Sequence, residues 1–273
     1  MRELPGKSAV VGLAIRALRR FFPRRDLTFI LGQHGRLGNQ LFQVAGTYAL
    51  ASDLGVKVVL RKEWPYRPYF SLPADWFAGR LAVLRCTSSL EFATQIPWEH
   101  REYLQDLALW GDREDEIRSL LQPSARAFDA VEANYSDLLS LPSITALHVR
   151  RGDYLLPGMP HTPCPVDYYD EAVSHILADD PATRFLVFSD DMDWCRRELP
   201  VPDPIFVSGN PDWLDLALMT RCHHHICANS TFSWWGAFLS SDASPIVPWL
   251  VGTLPEAFRR IHPPKWRELV IEP

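Results

Sequence analysis

The densest chemistry in the chain is His148-Val149-Arg150-Arg151-Gly152-Asp153-Tyr154. It follows an apolar run, so His148 and Arg150 leave one side of a strand and Val149 the other. Two guanidinium forks at a strand's carboxyl end suit a pyrophosphate, and they can neutralise charge on a departing diphosphate. The structural alternative is a salt bridge from an arginine to Asp153. A second cluster, Ser189-Asp190-Asp191, follows another apolar run. Its carboxylates can ligate Mg²⁺, accept the N1–H and N2–H₂ of a guanine, or cap the helix behind them.

Two further stretches sit where a strand passes into a helix. Asn229-Ser230-Thr231-Phe232-Ser233-Trp234-Trp235-Gly236 puts small hydroxyls at a helix start, where side-chain and backbone donors together bind phosphate. Ser230 or Thr231 can equally be an ordinary N-cap. Gly35-Arg36-Leu37-Gly38-Asn39-Gln40 lets the backbone approach a ligand at its glycines and places Asn39 at a helix start. No Gly-Lys-Ser/Thr follows and the GxGxxG spacing is missing, so this is neither a Walker A loop nor a dinucleotide fingerprint. The run Cys222-His223-His224-His225-Ile226-Cys227 invites a metal reading. On a strand, however, His225 and Cys227 share one face and His224 takes the other, so a structural role is expected. Neither a Ser-His-Asp or Cys-His arrangement nor a glycosidase carboxylate pair can be singled out.

These residues need a scaffold, and 273 residues with 47% hydrophobic content can bury a large core. A net charge of −5 argues against a general nucleic-acid binder. No apolar run reaches the length of a membrane-spanning helix. The cysteines (Cys86, Cys164, Cys195, Cys222 and Cys227) are odd in number and form no CxxC. A reducing compartment is therefore expected, and with no convincing signal peptide the expected location is cytoplasmic.

The segment 1–26 stands apart. It carries Arg2, Lys7, Arg16, Arg19, Arg20, Arg24 and Arg25 against Glu3 and Asp26, and an apolar stripe at helical spacing. A basic amphipathic helix can lie on an anionic membrane surface, here the inner face of a plasma membrane. A solvated extension is the alternative.

From residue 27 the pattern is βαβ: an apolar run at 27–31, a helix at 39–54, and a second strand at 56–60. Residues 61–142 show little periodicity, and their clustered aromatics read either as a sugar-stacking surface or as satellite core. A second series follows. Strands are expected at 144–149, 185–188, 205–207, 225–228 and 246–247, and helices at 166–178, 213–221 and 231–240. The simplest architecture is α/β, with two parallel-sheet halves (27–142 and 143–273) facing a cleft at their strands' carboxyl ends. Three phosphate-suited elements and one base-reading candidate on that scaffold suggest a nucleotide-sugar enzyme.

The stretches GRLGNQLFQVAGTYALA (35–51), LHVRRGDYL (147–155), VFSDDMDWC (187–195) and CANSTFSWWGAFLS (227–240) resemble the α-1,2-fucosyltransferases of glycosyltransferase family 11 in wording, order and spacing. The resemblance spans about residues 27–260; the approach at Gln33-His34 departs from it. It implies a GT-B-like fold with two Rossmann-like halves and no required metal or other cofactor. It implies inverting transfer of L-fucose from GDP-β-L-fucose to the 2-hydroxyl of a galactoside. Carried over, Arg150 contacts the β-phosphate with His148 and Arg151 in support. Asp190 or Asp191 reads guanine, Ser230 and Thr231 hold phosphate oxygens, and Asn39 beside Gly38 reaches the diphosphate or fucose. Asp153 is the nearest candidate for a general base, its alternative role being to orient an arginine. The implied partners are GDP-fucose and a galactose-terminated oligosaccharide or lipid-linked glycan. A different donor or linkage, or a non-catalytic nucleotide- or glycan-binding protein, are the competing readings.

Overall fold

The computed structural model describes residues 28–30, 35–54, 57–60, 62–77, 104–105, 107–159, 161–241, 245–250 and 261–271. The basic segment 1–26, Gln33-His34 and Cys86 lie outside the described residues. Strand β1 (Thr28–Ile30) pairs in parallel with β2 (Lys57–Val59), and helix α1 (Leu37–Leu54) crosses between them. This is the βαβ unit expected, with ends shifted by one or two residues, as helix and strand ends commonly are. Leu37, Leu41, Phe42, Val44, Ala45 and Ala49 of α1 are buried, and so are its polar Gln40, Gln43 and Thr47. A helix covered on so many sides belongs inside a core.

The poorly periodic stretch after β2 resolves into short 3-10 turns carrying core aromatics. Trp64, Phe70, Trp76 and Phe77 are buried, while Tyr66 and Tyr69 pack partly exposed against the same cluster. Two helices follow that the sequence pattern did not reveal, α2 (Glu114–Leu120) and α3 (Ala125–Leu139). Their buried residues are only Ile117 in α2, and Ala127 and Val131 in α3. In α3 the half-buried Ala130, Leu138 and Leu139 complete the face turned to the core. Ser124 caps α3 by accepting the Ala127 N–H.

The second sheet holds β3 (Ile144–Val149), β4 (Arg184–Ser189), β5 (Ile205–Val207), β6 (His224–Ile226), β7 (Ile246–Leu250) and β8 (Arg267–Ile271). Their order is β5-β4-β3-β6-β7-β8, and every pairing is parallel. β3, buried along its whole length, is the central apolar run that a two-sided parallel sheet requires. Helices α4 (Val166–Asp179) and α5 (Met192–Glu198) cover one face, joining Leu147, Val149, Phe185 and Val187 in one cluster. Helices α3 and α6 (Asp212–Met219) cover the other, against Ile144, Ala146, Leu186 and Phe188. β7 runs on through Pro248, past the two residues expected. It meets β6 only at Ile226↔Ile246, so Pro248 owes no N–H on that side. β8 buries Leu269 but exposes Val270, so its pattern is that of a polar edge strand.

Helix α7 (Thr231–Leu239) leaves β6 and packs against α1. The Phe42 ring lies 4.7 Å from Trp234 and 4.9 Å from Trp235, and Trp110 stacks on Trp235 at 6.0 Å. One apolar cluster thus contains α1, the residues following β2, α7, Ile261 and Trp266. It spans the expected boundary at 142–143, and α3, from the N-terminal side of that boundary, packs on the second sheet. Among the described residues no helix is long and apolar enough to cross a membrane. Trp110 is fully buried at the centre of this cluster. Trp110→Ala should therefore cost about 3–5 kcal/mol in urea unfolding. A loss below about 1 kcal/mol would show that the cluster does not tie the two parts together.

Candidate active site

β3 and β6 are neighbours, but the chain leaves them in opposite directions, toward β4 and β5 on one side and β7 and β8 on the other. Their carboxyl ends therefore open on a crevice, the place where open parallel sheets bind ligands. A cleft of about 750 Å³ lies there. Gly38 and Asn39 line it from α1, His148, Arg150 and Asp153 from the end of β3, Asp190 from the end of β4, and Ser230 and Thr231 from the start of α7. Four stretches far apart in sequence are brought to one place. Arg151 and Asp191 stand outside the cleft lining.

Arg150 is the best-held cation among them. Its side chain is 12% exposed, with Nη2 2.5 Å from Asp153 Oδ1 and Nη1 2.7 Å from Asp190 Oδ2. The other Asp153 oxygen pairs with the exposed Arg36 at 3.4 Å. Asp190 Oδ1 accepts the backbone N–H of Arg151 at 2.9 Å. A Cβ on Gly152 would stand 2.6 Å from Asp190 Oδ2, so a glycine there lets the carboxylate reach Arg150. Arg151 turns away. It lies 4.2 Å over the Trp194 ring, with Nε 3.4 Å from Asp191 Oδ2. Asp191 Oδ1 accepts the Trp194 N–H and caps α5. The two aspartates therefore divide, Asp190 facing the cleft and Asp191 serving the helix.

His148 forms part of the cleft floor, 5.6 Å from the Phe232 ring. Burial pushes its pKa down to about 4; the Asp190 charge opposes this shift and Arg150 adds to it. The imidazole is neutral at pH 7, and its Nδ1 has no partner among the described residues. Across the cleft, Asn39 Oδ1 accepts from Thr231 Oγ1 at 2.8 Å and from Gln105 Nε2 at 3.0 Å. Ser230 accepts the Phe232 N–H and is the N-cap of α7. Gly35 takes φ +78°, and a side chain there would also strike Asn39. A Cβ on Gly38 would lie 2.7 Å from the backbone of Thr231 and Phe232. The Gly-Asn-Gln turn is thus fitted onto the start of α7.

A fifth group escaped the sequence reading. Asn210, Asp212 and Asp215, after β5, line the same cleft. Asp212 Oδ2 accepts from the Tyr66 hydroxyl at 2.6 Å, and Asp215 Oδ1 accepts from Asn210 Nδ2 at 2.8 Å. Burial raises the Asp215 pKa to about 6; the Asn210 hydrogen bond opposes the shift and the Asp212 charge adds to it. The signal was positional. Asn210-Pro-Asp-Trp-Leu-Asp follows a strand as the other clusters do, but it opens a helix whose remainder is ordinary core.

The histidine run diverges as its strand alternation implies. His223 accepts the Ile144 N–H, His224 faces Asp180 at 3.3 Å, and His225 is buried. Among the described residues no group of three or more His, Cys, Asp or Glu side chains is placed to hold a metal ion. The four described cysteines are free, buried thiols.

A parallel sheet with its anion-suited cleft at the switch point has the architecture of a GT-B-like glycosyltransferase. The sequence profile of Glycosyl transferase family 11 matches residues 69–251. An alpha-1,2-colitosyltransferase of Escherichia coli is 30% identical over 252 residues, covering 76% of this chain and 86% of that protein. Galactoside alpha-(1,2)-fucosyltransferase 1 of Lagothrix lagotricha is 33% identical over 252 residues, covering 78% of this chain and 65% of that protein. Among solved structures, NodZ alpha-1,6-fucosyltransferase soaked with GDP-fucose superimposes with a TM-score of 0.54 at 15% identity. That match covers 79% of this chain and 93% of NodZ. At such identity the likeness is one of fold alone. The chain belongs to glycosyltransferase family 11 and is a glycosyltransferase.

The two glycines make contrasting predictions. Gly38→Ala meets backbone that cannot give way, and should cost about 1–3 kcal/mol in urea unfolding. Gly152→Ala meets a carboxylate that can swing aside. Its stability should stay within about 1 kcal/mol of wild type, while transferase activity falls about tenfold or more as Arg150 loses its hold. Equal stability losses in the two variants would contradict these placements.

Proposed function

We propose that the protein transfers L-fucose from GDP-β-L-fucose to the 2-hydroxyl of a galactoside, with inversion and without a metal. The observation that carries this reading is Arg150, held by two carboxylates beside the N-terminus of α7 in one cleft. A diphosphate at that position meets the guanidinium, the start of a helix and the positive end of its dipole. The names of both relatives support the α-1,2 linkage, that of the Lagothrix lagotricha protein supports the sugar, and the GDP-fucose soaked into NodZ supports the donor.

The chemistry follows from the geometry. Fucose departs with oxocarbenium character, its bonding pair leaving on the β-phosphate of GDP, while the acceptor hydroxyl attacks the opposite face and releases its proton to solvent. Arg150 meets the charge that develops on the β-phosphate, and fixed cations aimed at developing charge need no reorganisation. Asp190 and Asp153 keep the guanidinium in place. Asp153 spends both oxygens on Arg150 and Arg36, which is the role of an orienting group rather than a general base. Asn39 and Thr231 join the first half to the phosphate helix and so help fix the two substrates in register.

A second reading keeps the linkage and changes the sugar to colitose, as the Escherichia coli relative's name suggests. The acceptor is a galactose-terminated glycan, soluble or lipid-linked. The basic amphipathic sequence of residues 1–26 supports a lipid-linked acceptor at a cytoplasmic membrane face.

The test is incubation with GDP-fucose, GDP-colitose and a panel of β-galactosides in EDTA, followed by product mass and linkage by NMR. An α-1,2-fucosylated product is expected, at a rate unchanged by EDTA. A rate lost in EDTA and restored by Mg²⁺ or Mn²⁺ would assign Asp190 to a metal instead. Arg150→Ala should lower transfer about 10³-fold with the circular dichroism spectrum unchanged; transfer within a few-fold of wild type would remove Arg150 from the mechanism.

A further inference from the structure

We propose that Asp215, braced by Asn210, is the residue that reads the guanine of the donor. The proposal rests on the GDP-sugar reading and deepens it. Guanine presents N1–H and N2–H₂ side by side, and a carboxylate is the side chain that accepts from both. Such a carboxylate must face the cleft, be fixed in place and keep oxygen lone pairs free.

Four described aspartates line the cleft; two have both oxygens engaged, and a third is tied to a tyrosine from the first half. Asp153 holds Arg150 and Arg36, and Asp190 holds Arg150 and the Arg151 N–H. Asp212 gives Oδ2 to the Tyr66 hydroxyl and so serves the tie between the two parts, without a described side chain bracing it as Asn210 braces Asp215. Asp215 spends Oδ1 on Asn210, and no described residue takes Oδ2. Asn210 is fixed in turn by its contact with the Tyr135 hydroxyl at 2.5 Å. A carboxylate braced from behind and open in front is a preorganised acceptor. Its raised pKa reflects how far that position is withdrawn from water.

The surroundings fit a purine. Phe232, partly exposed at the start of α7, offers a flat ring to the same cleft. His148 is only 6% exposed, and its Nδ1 is buried without a partner on the cleft floor, so a polar ligand is expected against it. Asp215 sits on α6, which follows β5, and Arg150 follows β3, so the two face one cleft from different elements.

The experiment is calorimetric titration of the full chain with GDP, IDP and inorganic pyrophosphate, for wild type, Asp215→Asn, Asp215→Ala and Asp190→Asn. IDP lacks only the 2-amino group. Wild type should prefer GDP to IDP about tenfold or more. In both Asp215 variants the preference should fall to about twofold or less, with pyrophosphate binding unchanged. Asp190→Asn should weaken GDP and IDP together and keep their ratio. Thermal melts identify a variant that fails to fold, and the two Asp215 substitutions back each other up. A wild-type ratio in the folded Asp215 variants overturns the assignment, and a ratio lost only in Asp190→Asn moves the base to Asp190. Failure of wild type to bind GDP at all overturns the donor reading and this assignment with it.

Discussion

A guanidinium at the end of a buried strand is costly to keep away from water unless it is paired and hydrogen-bonded. Arg150 meets that requirement twice, through Asp153 in its own loop and Asp190 from the neighbouring strand. The second contact depends on Gly152, and it locks the loop through the Arg151 N–H. Much of the cleft follows from this arrangement. The loop after β3 cannot move without breaking an ion pair, so the cation stays aimed at one place. Three arginines and three aspartates crowd the ends of β3 and β4 and the turn before α1. An entering diphosphate therefore competes with carboxylates for Arg150, which favours ligands that bring their own full negative charge.

The second constraint is the close approach of α1 to α7. It needs a glycine at 38, where any side chain would enter the backbone of Thr231 and Phe232. Asn39 then reaches Thr231, and behind them the Phe42, Trp110, Trp234 and Trp235 rings form a continuous apolar seam. The seam sets where the first βαβ unit sits over α7. The turn at 62–77 adds a polar tie and an aromatic one, with Tyr66 on Asp212 and Tyr69 stacked 3.8 Å from Trp213. Residues contributed by both parts thus share the same cleft.

Much of this was legible because strongly apolar strands and their following turns are local signals. β3 and β5 match their expected bounds, and the motifs after β3, β4 and β6 converge as parallel topology requires. What was hidden depended on tertiary context. α3 turns only Ala127 and Val131 fully inward, with Ala130, Leu138 and Leu139 half-buried beside them, and β8 is an edge strand with one buried leucine. The division of labour between Asp190 and Asp191 cannot be read from adjacent letters; the turn geometry gives one to the cleft and the other to a cap. Asp215 was overlooked because it sits within a helix whose neighbours Leu214 and Leu216 are core.

The central claim is that a nucleoside diphosphate binds across the switch point, with its phosphates on Arg150 and the start of α7. A crystal structure of the chain grown with GDP in EDTA tests it most directly. The account predicts the β-phosphate against the Arg150 guanidinium and the start of α7, with the base edge toward Asp215. Diphosphate density elsewhere, with Arg150 still held by both aspartates and the cleft empty, would contradict it.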